Sequence, residues 1–163
     1  MTLRQELAPE VSIEPFELGN LPLYNADLDA NALEPVRALK NAISANEGMI
    51  IVTPEYNYGI PGVLKNALDW ASRPGYQSVL KGKHVAVISS SPSLTGGVRA
   101  QAQLKQTLYA ALARTLPWPE VVIGNVADKV RDGRLVDEVS LRFALDIVRA
   151  LAREIRGEAR AST

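Results

Sequence analysis

The chain has 163 residues, of which 47% are hydrophobic, and this composition supports one compact core and excludes a disordered protein. Eighteen basic residues balance eighteen acidic ones and no apolar stretch approaches the roughly 20 residues of a membrane span, so neither nucleic acid nor a membrane is an expected partner. Cysteine is absent and His84 is the single histidine, which excludes disulfides, cysteine nucleophiles and histidine-based metal sites.

The first patterned segment is short and extended. Residues 11–18 carry apolar side chains in a strand-like run, and Pro15 removes one backbone donor, so an edge strand is predicted. Residues 20–25 have the composition of a loop. A helix is predicted next, with Pro35 in its first turn, because apolar residues recur at helical spacing. These residues are Leu33, Val36, Leu39 and Ile43.

Three continuous apolar runs follow, at residues 49–52, 85–88 and 121–123, and such runs are typical of strands covered on both faces. Helical patterns separate them, with apolar residues at Leu64, Ala67, Leu68, Ala71, Leu104, Leu108, Ala111 and Leu112. The alternation predicts an α/β fold with a doubly wound parallel sheet, in a single domain spanning residues 1–163. Ligands in such sheets bind beyond the carboxyl ends of the strands, which selects the loops after Val52 and Ile88.

A last helix is predicted from an i,i+4 stripe, which we expect to form its buried face. The stripe comprises Val139, Phe143, Ile147, Leu151 and Ile155. The other face carries several arginines, and a solvated helix face is the expected reading of that charge.

The first candidate loop, residues 53–62, combines prolines, glycines, tyrosines and an asparagine. Tyr56 and Tyr58 offer flat faces to a planar ring, and Asn57 offers both donors and an acceptor. Backbone N–H groups between the prolines can meet an acceptor-rich ligand edge. The alternative is a proline-rich surface turn with buried tyrosines.

The second candidate loop, residues 89–97, is rich in serine and ends in two glycines where a helix begins. Helix N-termini attract anions and polar ligand edges. The alternative is a helix entry whose serines satisfy backbone groups. Glu55, in the first loop, has no evident partner as a general base, and its backbone is the expected contributor.

These residues resemble the signature of the flavodoxin-like NAD(P)H-dependent FMN reductases, in the branch with bacterial quinone and chromate reductases. The similarity lies in Pro54-Glu55-Tyr56-Asn57 followed by Pro61-Gly62-x-Leu64-Lys65-Asn66-Ala67-x-Asp69-Trp70. Residues 21–25 and Ser90 with Gly96-Gly97 resemble two further loops of the family.

The resemblance implies a noncovalent FMN, NAD(P)H as co-substrate, a small-molecule electron acceptor, and homodimers or homotetramers. Hydride would pass from NAD(P)H through FMN to quinones, flavins, metal oxyanions, or azo and nitro compounds. By the same resemblance Pro54, Glu55, Tyr56 and Asn57 line the flavin ring, and Ser90 touches it. No catalytic side chain and no metal are expected, because the cofactor carries the chemistry.

Members of that family open with a buried strand and a loop of the type Gly-Ser-x-Arg-x-x-Ser-x-Asn, which holds the FMN phosphate. This sequence has no such segment and opens with residues 3–7, which resemble the end of the family's first helix. We therefore expect the first strand of the sheet to be missing. Either the natural start lies further upstream, or this is a truncated form with weakened FMN binding.

Two other function classes compete with the reductase. One is a cofactor-free or weakly flavin-binding scaffold protein of the same fold. The other is an electron-carrier flavodoxin, which is disfavoured because carriers are commonly strongly acidic and this chain has no net charge. The N-terminus has no hydrophobic secretory core, so we expect a cytoplasmic location.

Overall fold

The computed structural model describes residues 2–8 and 10–157. Helices and strands alternate along most of this range, as the apolar patterns predict. In chain order the elements are α1 Thr2–Glu6, α2 Glu34–Ala45, β1 Gly48–Pro54, α3 Gly62–Ala71, β2 His84–Ser90, α4 Val98–Ala110, β3 Arg114–Thr115, β4 Val121–Ile123, α5 Val126–Lys129, β5 Val130–Arg131, β6 Arg134–Leu135 and α6 Glu138–Ile155.

The main sheet is parallel, with β2 at its centre. β1 pairs with β2 over seven residues in register, from Gly48 opposite His84 to Pro54 opposite Ser90. On its other side β2 pairs first with β3 and then with β4. Two prolines between those short strands remove backbone donors, which accounts for the break in the ladder. The predicted α/β fold with a parallel sheet is thus confirmed.

Two apolar clusters cover the two faces of the sheet. α2, α3 and α4 pack on one face around Ile51, Val85 and Val87, and α1 and α6 pack on the other around Ala86 and Ile88. Successive residues of β2 therefore point into opposite clusters, which explains the continuous apolar run. The prediction of burial on both faces is wrong for Val52 in β1, whose side chain is 56% exposed.

The prediction of an edge strand in residues 11–18 is also wrong, because this segment has no regular secondary structure. Val11 and Ile13 instead pack as single side chains against the cluster beneath α6. Pro15 donates no hydrogen bond, and β1 pairs with β2 alone among the described strands. The edge of β1 that faces away from β2 is therefore not paired with any strand of the described residues.

Helix α6 is present and buries only part of the predicted stripe: Ile147 and Leu151 are buried, and Ile155 packs against the same cluster. Val139 and Phe143 are half-exposed, whereas Ala144 and Val148 are buried together with Ile147. A step of four residues advances about 40° beyond a full turn, so a five-member i,i+4 stripe winds around the helix and leaves the core at one end. Within the described residues, no helix is both long and apolar enough to cross a membrane.

The hairpin β5–β6 was absent from the sequence prediction. Its tip is Asp132-Gly133, and both residues have positive φ, as a type I′ turn requires. Asp-Gly between short runs with β-branched and leucine residues was the available signal, but strands of two residues are too short for periodicity to reveal.

Leu104 provides a test of how α4 packs, because its side chain is fully buried in the core. We expect Leu104→Ala to lower the free energy of unfolding by about 2–5 kcal/mol, because it removes apolar contacts and leaves a cavity. Tyr109→Ala, at an exposed position of the same helix, should change it by no more than about 0.5 kcal/mol. Urea unfolding followed by circular dichroism measures both; equal effects would contradict the described core.

Candidate functional site

The two candidate loops leave the same edge of the sheet. β1 and β2 are parallel and end together, with Pro54 directly opposite Ser90, and Ser90 in turn lies opposite Ile123 of β4. Residues 55–61 and 91–97 therefore start side by side at the carboxyl edge. This is the position at which ligands bind in doubly wound sheets.

The first loop contains a tight turn whose conformation is set by its own backbone. The N–H of Tyr56 donates to the carbonyl of Gly59 (2.9 Å), and the N–H of Gly59 donates to the carbonyl of Tyr56 (3.0 Å). Asn57 and Tyr58 at the tip both have positive φ, as in a type I′ turn. Asparagine tolerates this region, whereas tyrosine adopts it at some cost in free energy.

The tip of the turn presents unsatisfied donors and aromatic surface. Within the described residues, the backbone N–H groups of Asn57 and Tyr58 donate no hydrogen bond. Tyr56 and Tyr58 are 64% and 72% exposed as whole residues, so the alternative of buried tyrosines is wrong. Free amide donors beside flat apolar faces match the acceptor-bearing edge and the fused rings of a flavin. The donor chemistry of this loop therefore fits FMN at its ring.

The side chain of Glu55 turns away from this tip and caps helix α4. One carboxylate oxygen accepts from the backbone N–H groups of Arg99 (3.0 Å) and Ala100 (3.3 Å). The other accepts from Nε of Arg99 (2.8 Å) and lies 2.7 Å from its Nη2. Gly97 at the N-cap has no side chain, and Glu55 takes over the role that a serine cap normally fills. The first turn of α4 is therefore capped by Glu55 and not by a serine, although serines of the loop do satisfy backbone groups, as in the bond from the N–H of Ser93 to Oγ of Ser91 (3.1 Å).

This environment favours the ionised form of Glu55. The hydrogen bonds from the Arg99 side chain are the largest influence, and together with those from the backbone of Ala100 and Arg99 they hold the pKa of the carboxyl below its ordinary value. The Arg99 guanidinium carbon also lies 4.0 Å from the centre of the Tyr58 ring, in a cation–π contact. Arg99 thus joins the tip of the first loop to the start of α4.

A second residue of α4 holds the same loop. Oε1 of Gln103 accepts from the backbone N–H of Ile60 at 2.7 Å. Arg99 and Gln103 are four residues apart and so lie on one face of the helix. Neither residue is among the site residues predicted from the sequence. Two long polar side chains at i and i+4, directly after a candidate loop, were the signal that could have found them.

Buried polar groups fix the second loop. The hydroxyl of Ser89 donates to the carbonyl of Gly96 (2.7 Å), and Nε2 of Gln101 donates to Ser89 Oγ (3.1 Å) and to the carbonyl of Val121 (2.8 Å). A Cβ atom at Gly97, whose φ is +88°, would lie 3.0 Å from Cβ of Ser89. Gln101 is fully buried, and its Oε1 has no hydrogen-bond partner in the described structure. Gln101 also lines a cavity of about 10 Å³, room for about one water molecule.

The loop of residues 20–25 is attached to helix α3. Asn66 accepts from the N–H of Tyr24 (2.8 Å) and donates to the carbonyl of Pro22 (2.9 Å), to which Nε1 of Trp70 also donates (2.8 Å). The rings of Tyr24 and Trp70 meet edge to face at 4.9 Å. These signature positions of α3 therefore hold a neighbouring loop in place.

The structure brings the five residues of the sequence prediction to one edge of the sheet. Pro54, Glu55, Tyr56 and Asn57 are consecutive, and Ser90 stands opposite Pro54. These residues differ in exposure: the carboxylate of Glu55 binds the start of α4, whereas Tyr56 and Asn57 are exposed to solvent. Contact of these residues with a flavin stays a prediction.

Asn66 provides a test of how the 20–25 loop is held. We expect Asn66→Ala to lower the free energy of unfolding by about 1–3 kcal/mol, because two hydrogen bonds are lost and the N–H of Tyr24 loses its partner, while the carbonyl of Pro22 keeps the bond from Trp70. Lys65→Ala removes only an exposed ion pair with Asp69 (2.8 Å) and should cost no more than about 0.5 kcal/mol. Urea denaturation of both variants measures the difference, and matching losses would contradict the assigned role.

The lowered pKa of Glu55 predicts a pH-dependent contribution to stability. The folded-state pKa lies below the unfolded one, so the stabilisation is complete above the unfolded pKa and is lost as the pH falls through the folded pKa. We therefore expect the stability difference between the wild type and Glu55→Gln to shrink on acidification. Urea titrations at a series of pH values measure it, and a constant difference would show that the charge is unimportant.

Comparison with known proteins is consistent with this geometry. The family model of the NADPH-dependent FMN reductases matches residues 2–128. A 2-hydroxy-1,4-benzoquinone reductase of a Burkholderia species is 40% identical over 139 residues, which span 84% of this chain and 76% of that protein. An NAD(P)H-dependent FMN reductase of Pseudomonas aeruginosa is 38% identical over 154 residues, which span 91% of this chain and 83% of that reductase.

A solved structure shows the same architecture. FerB of Paracoccus denitrificans, a flavoenzyme NAD(P)H:(acceptor) oxidoreductase, superposes with a TM-score of 0.83 at 35% identity and covers 95% of this chain and 86% of its own. The matching family model spans more than half of the sequence, and the alignments include both candidate loops. The chain therefore belongs to the NADPH-dependent FMN reductase family and is an oxidoreductase that uses FMN, with NAD(P)H as its co-substrate.

Proposed function

We propose that the carboxyl edge of β1 and β2 holds the flavin ring of a noncovalent FMN. The observation that carries the proposal is the turn of residues 56–59, whose tip offers the Asn57 amide and two backbone N–H groups that donate to no described residue, beside exposed tyrosines. Pro54 and Ser90 stand opposite each other at the ends of the two strands, where the two loops begin. Glu55 contributes through its backbone, since α4 engages its carboxylate.

When bound, FMN supplies the capacity to accept a hydride from NAD(P)H and to pass electrons to a second substrate. The protein's own contribution is to bind and orient. The amides of Asn57 and Tyr58 would hold the acceptor-bearing edge of the ring, and the tyrosine faces would cover part of its apolar surface. The links from Gln103 and Arg99 to the same loop would keep these donors in position. No side chain of the site is assigned a proton-transfer role.

For the electron acceptor we propose a quinone. The Burkholderia relative is a 2-hydroxy-1,4-benzoquinone reductase, and a relative from Pseudomonas putida, 40% identical over 136 residues, is a quinone reductase. An exposed aromatic rim suits a flat acceptor that stacks on the open side of the ring. Free flavins, metal oxyanions, azo and nitro compounds, assembly as a homodimer or homotetramer, and a cytoplasmic location stay predictions from the sequence.

The first experiment measures flavin content and turnover. The purified chain should bind FMN, release it on denaturation, and oxidise NAD(P)H when a quinone is added. A chain that folds cooperatively but binds no FMN at millimolar concentrations would contradict the proposal. It would favour the scaffold alternative for this form of the protein.

Asn57 tests the assignment of the loop. Asn57→Gly removes the amide and keeps the positive φ available, whereas alanine would also strain the turn. We expect the dissociation constant of FMN to rise roughly three- to tenfold, the equivalent of one ordinary hydrogen bond. Asp132→Gly makes the same kind of backbone change in the β5–β6 hairpin and should leave FMN binding unchanged. Flavin fluorescence titration measures the dissociation constant of FMN for both variants. If Asn57→Gly bound FMN as tightly as the wild type, Asn57 would not belong to the site.

A further inference from the structure

The anion-binding groups at the start of α4 are already occupied by the protein itself. Two backbone N–H groups and the Arg99 guanidinium all meet the carboxylate of Glu55 at 2.7–3.3 Å. The Glu55 side chain is only 7% exposed, so little room is left for a second anion at these donors. A helix N-terminus with an adjacent arginine would otherwise attract negative charge.

This pairing determines the charge that the rim of the site presents. The side chain of Arg99 is 47% exposed, and its guanidinium stacks on the ring of Tyr58, which belongs to the same turn as the free amides. With Glu55 ionised, the positive charge of Arg99 is balanced within hydrogen-bond distance. The surface next to the proposed ring site is therefore aromatic and close to neutral, although it contains an arginine.

We propose that Glu55 is a specificity-determining residue, because its carboxylate neutralises Arg99 and the α4 N-terminus and so favours uncharged planar acceptors over anionic ones. The inference rests on the proposed function and deepens it by naming the charge class of the acceptor. Removing the charge of Glu55 leaves Arg99 as a net cation at the rim. Removing the charge of Arg99 leaves Glu55 as a net anion, and the two changes have opposite effects on an approaching anion.

The test compares two acceptors that share a ring system and differ in net charge: a neutral naphthoquinone and the same quinone carrying a sulfonate. Enzyme loaded with FMN is first reduced with NADH, and reoxidation by each quinone is followed by stopped flow, so that the charge of NADH does not enter. The measured quantity is the ratio of the two second-order rate constants, sulfonate over neutral. Intrinsic differences between the quinones cancel when this ratio is compared between variants.

Glu55→Gln should raise this ratio roughly three- to tenfold at low ionic strength, and Arg99→Gln should lower it, as expected for one unit charge within several ångströms of the acceptor. Both effects should fade at high salt, because the pair lies near the surface. Glu120→Gln is the matched control: Glu120 pairs with Lys105 of α4 at 2.8 Å and makes no side-chain hydrogen bond or ion pair with either loop among the described residues, so the ratio should not change.

Opposite shifts in the two loop variants, lost in salt, support the inference. Shifts in the same direction, or an unchanged ratio in Glu55→Gln while FMN stays bound and the neutral quinone is still reduced, would overturn it and show a purely structural role. If Glu55→Gln does not fold, the sign of the change in Arg99→Gln decides alone. A wild-type chain that neither binds FMN nor reduces the neutral quinone would overturn the proposed function, and the inference with it.

Discussion

The in-register ladder between β1 and β2 is the constraint on which the site depends. Seven paired residues bring the two strands to a common end, so that Pro54 and Ser90 stand side by side. A shift of one residue would exchange the two faces of β1, and Ile51 and Thr53 would leave the core formed with α2, α3 and α4. Burial of those side chains thus determines where both loops begin.

Helix α4 then determines how the loops continue. Arg99 and Gln103 bind the first loop from one face of the helix, and Gln101 reaches the second loop through Ser89. Leu104 seats the same helix in the core, so packing in the interior and the positions of surface donors are linked. A loop at the sheet edge needs such support, because its own backbone makes few hydrogen bonds.

Much of this architecture was predictable from apolar patterns, whereas the polar connections were not. Continuous apolar runs revealed β1 and β2, and helical spacing revealed α2, α3 and α6. Pattern failed for residues 11–18, since a strand needs a partner as well as composition. Topology places the site residues on one edge of the sheet. The hydrogen bond between Glu55 and the start of α4, however, joins residues 44 positions apart, and spacing in one sequence does not reveal such a contact.

Because the outer edge of β1 is unpaired, we expect the backbone of β1 to open more readily than that of β2. Alternate backbone N–H and C=O groups of β1 point away from β2, and no described strand receives them. β2 is paired on both sides at each of its ends. In deuterated water the outward amides of β1 would therefore exchange well ahead of their inward neighbours. An open strand edge of this kind is also a surface on which an extended segment can pair.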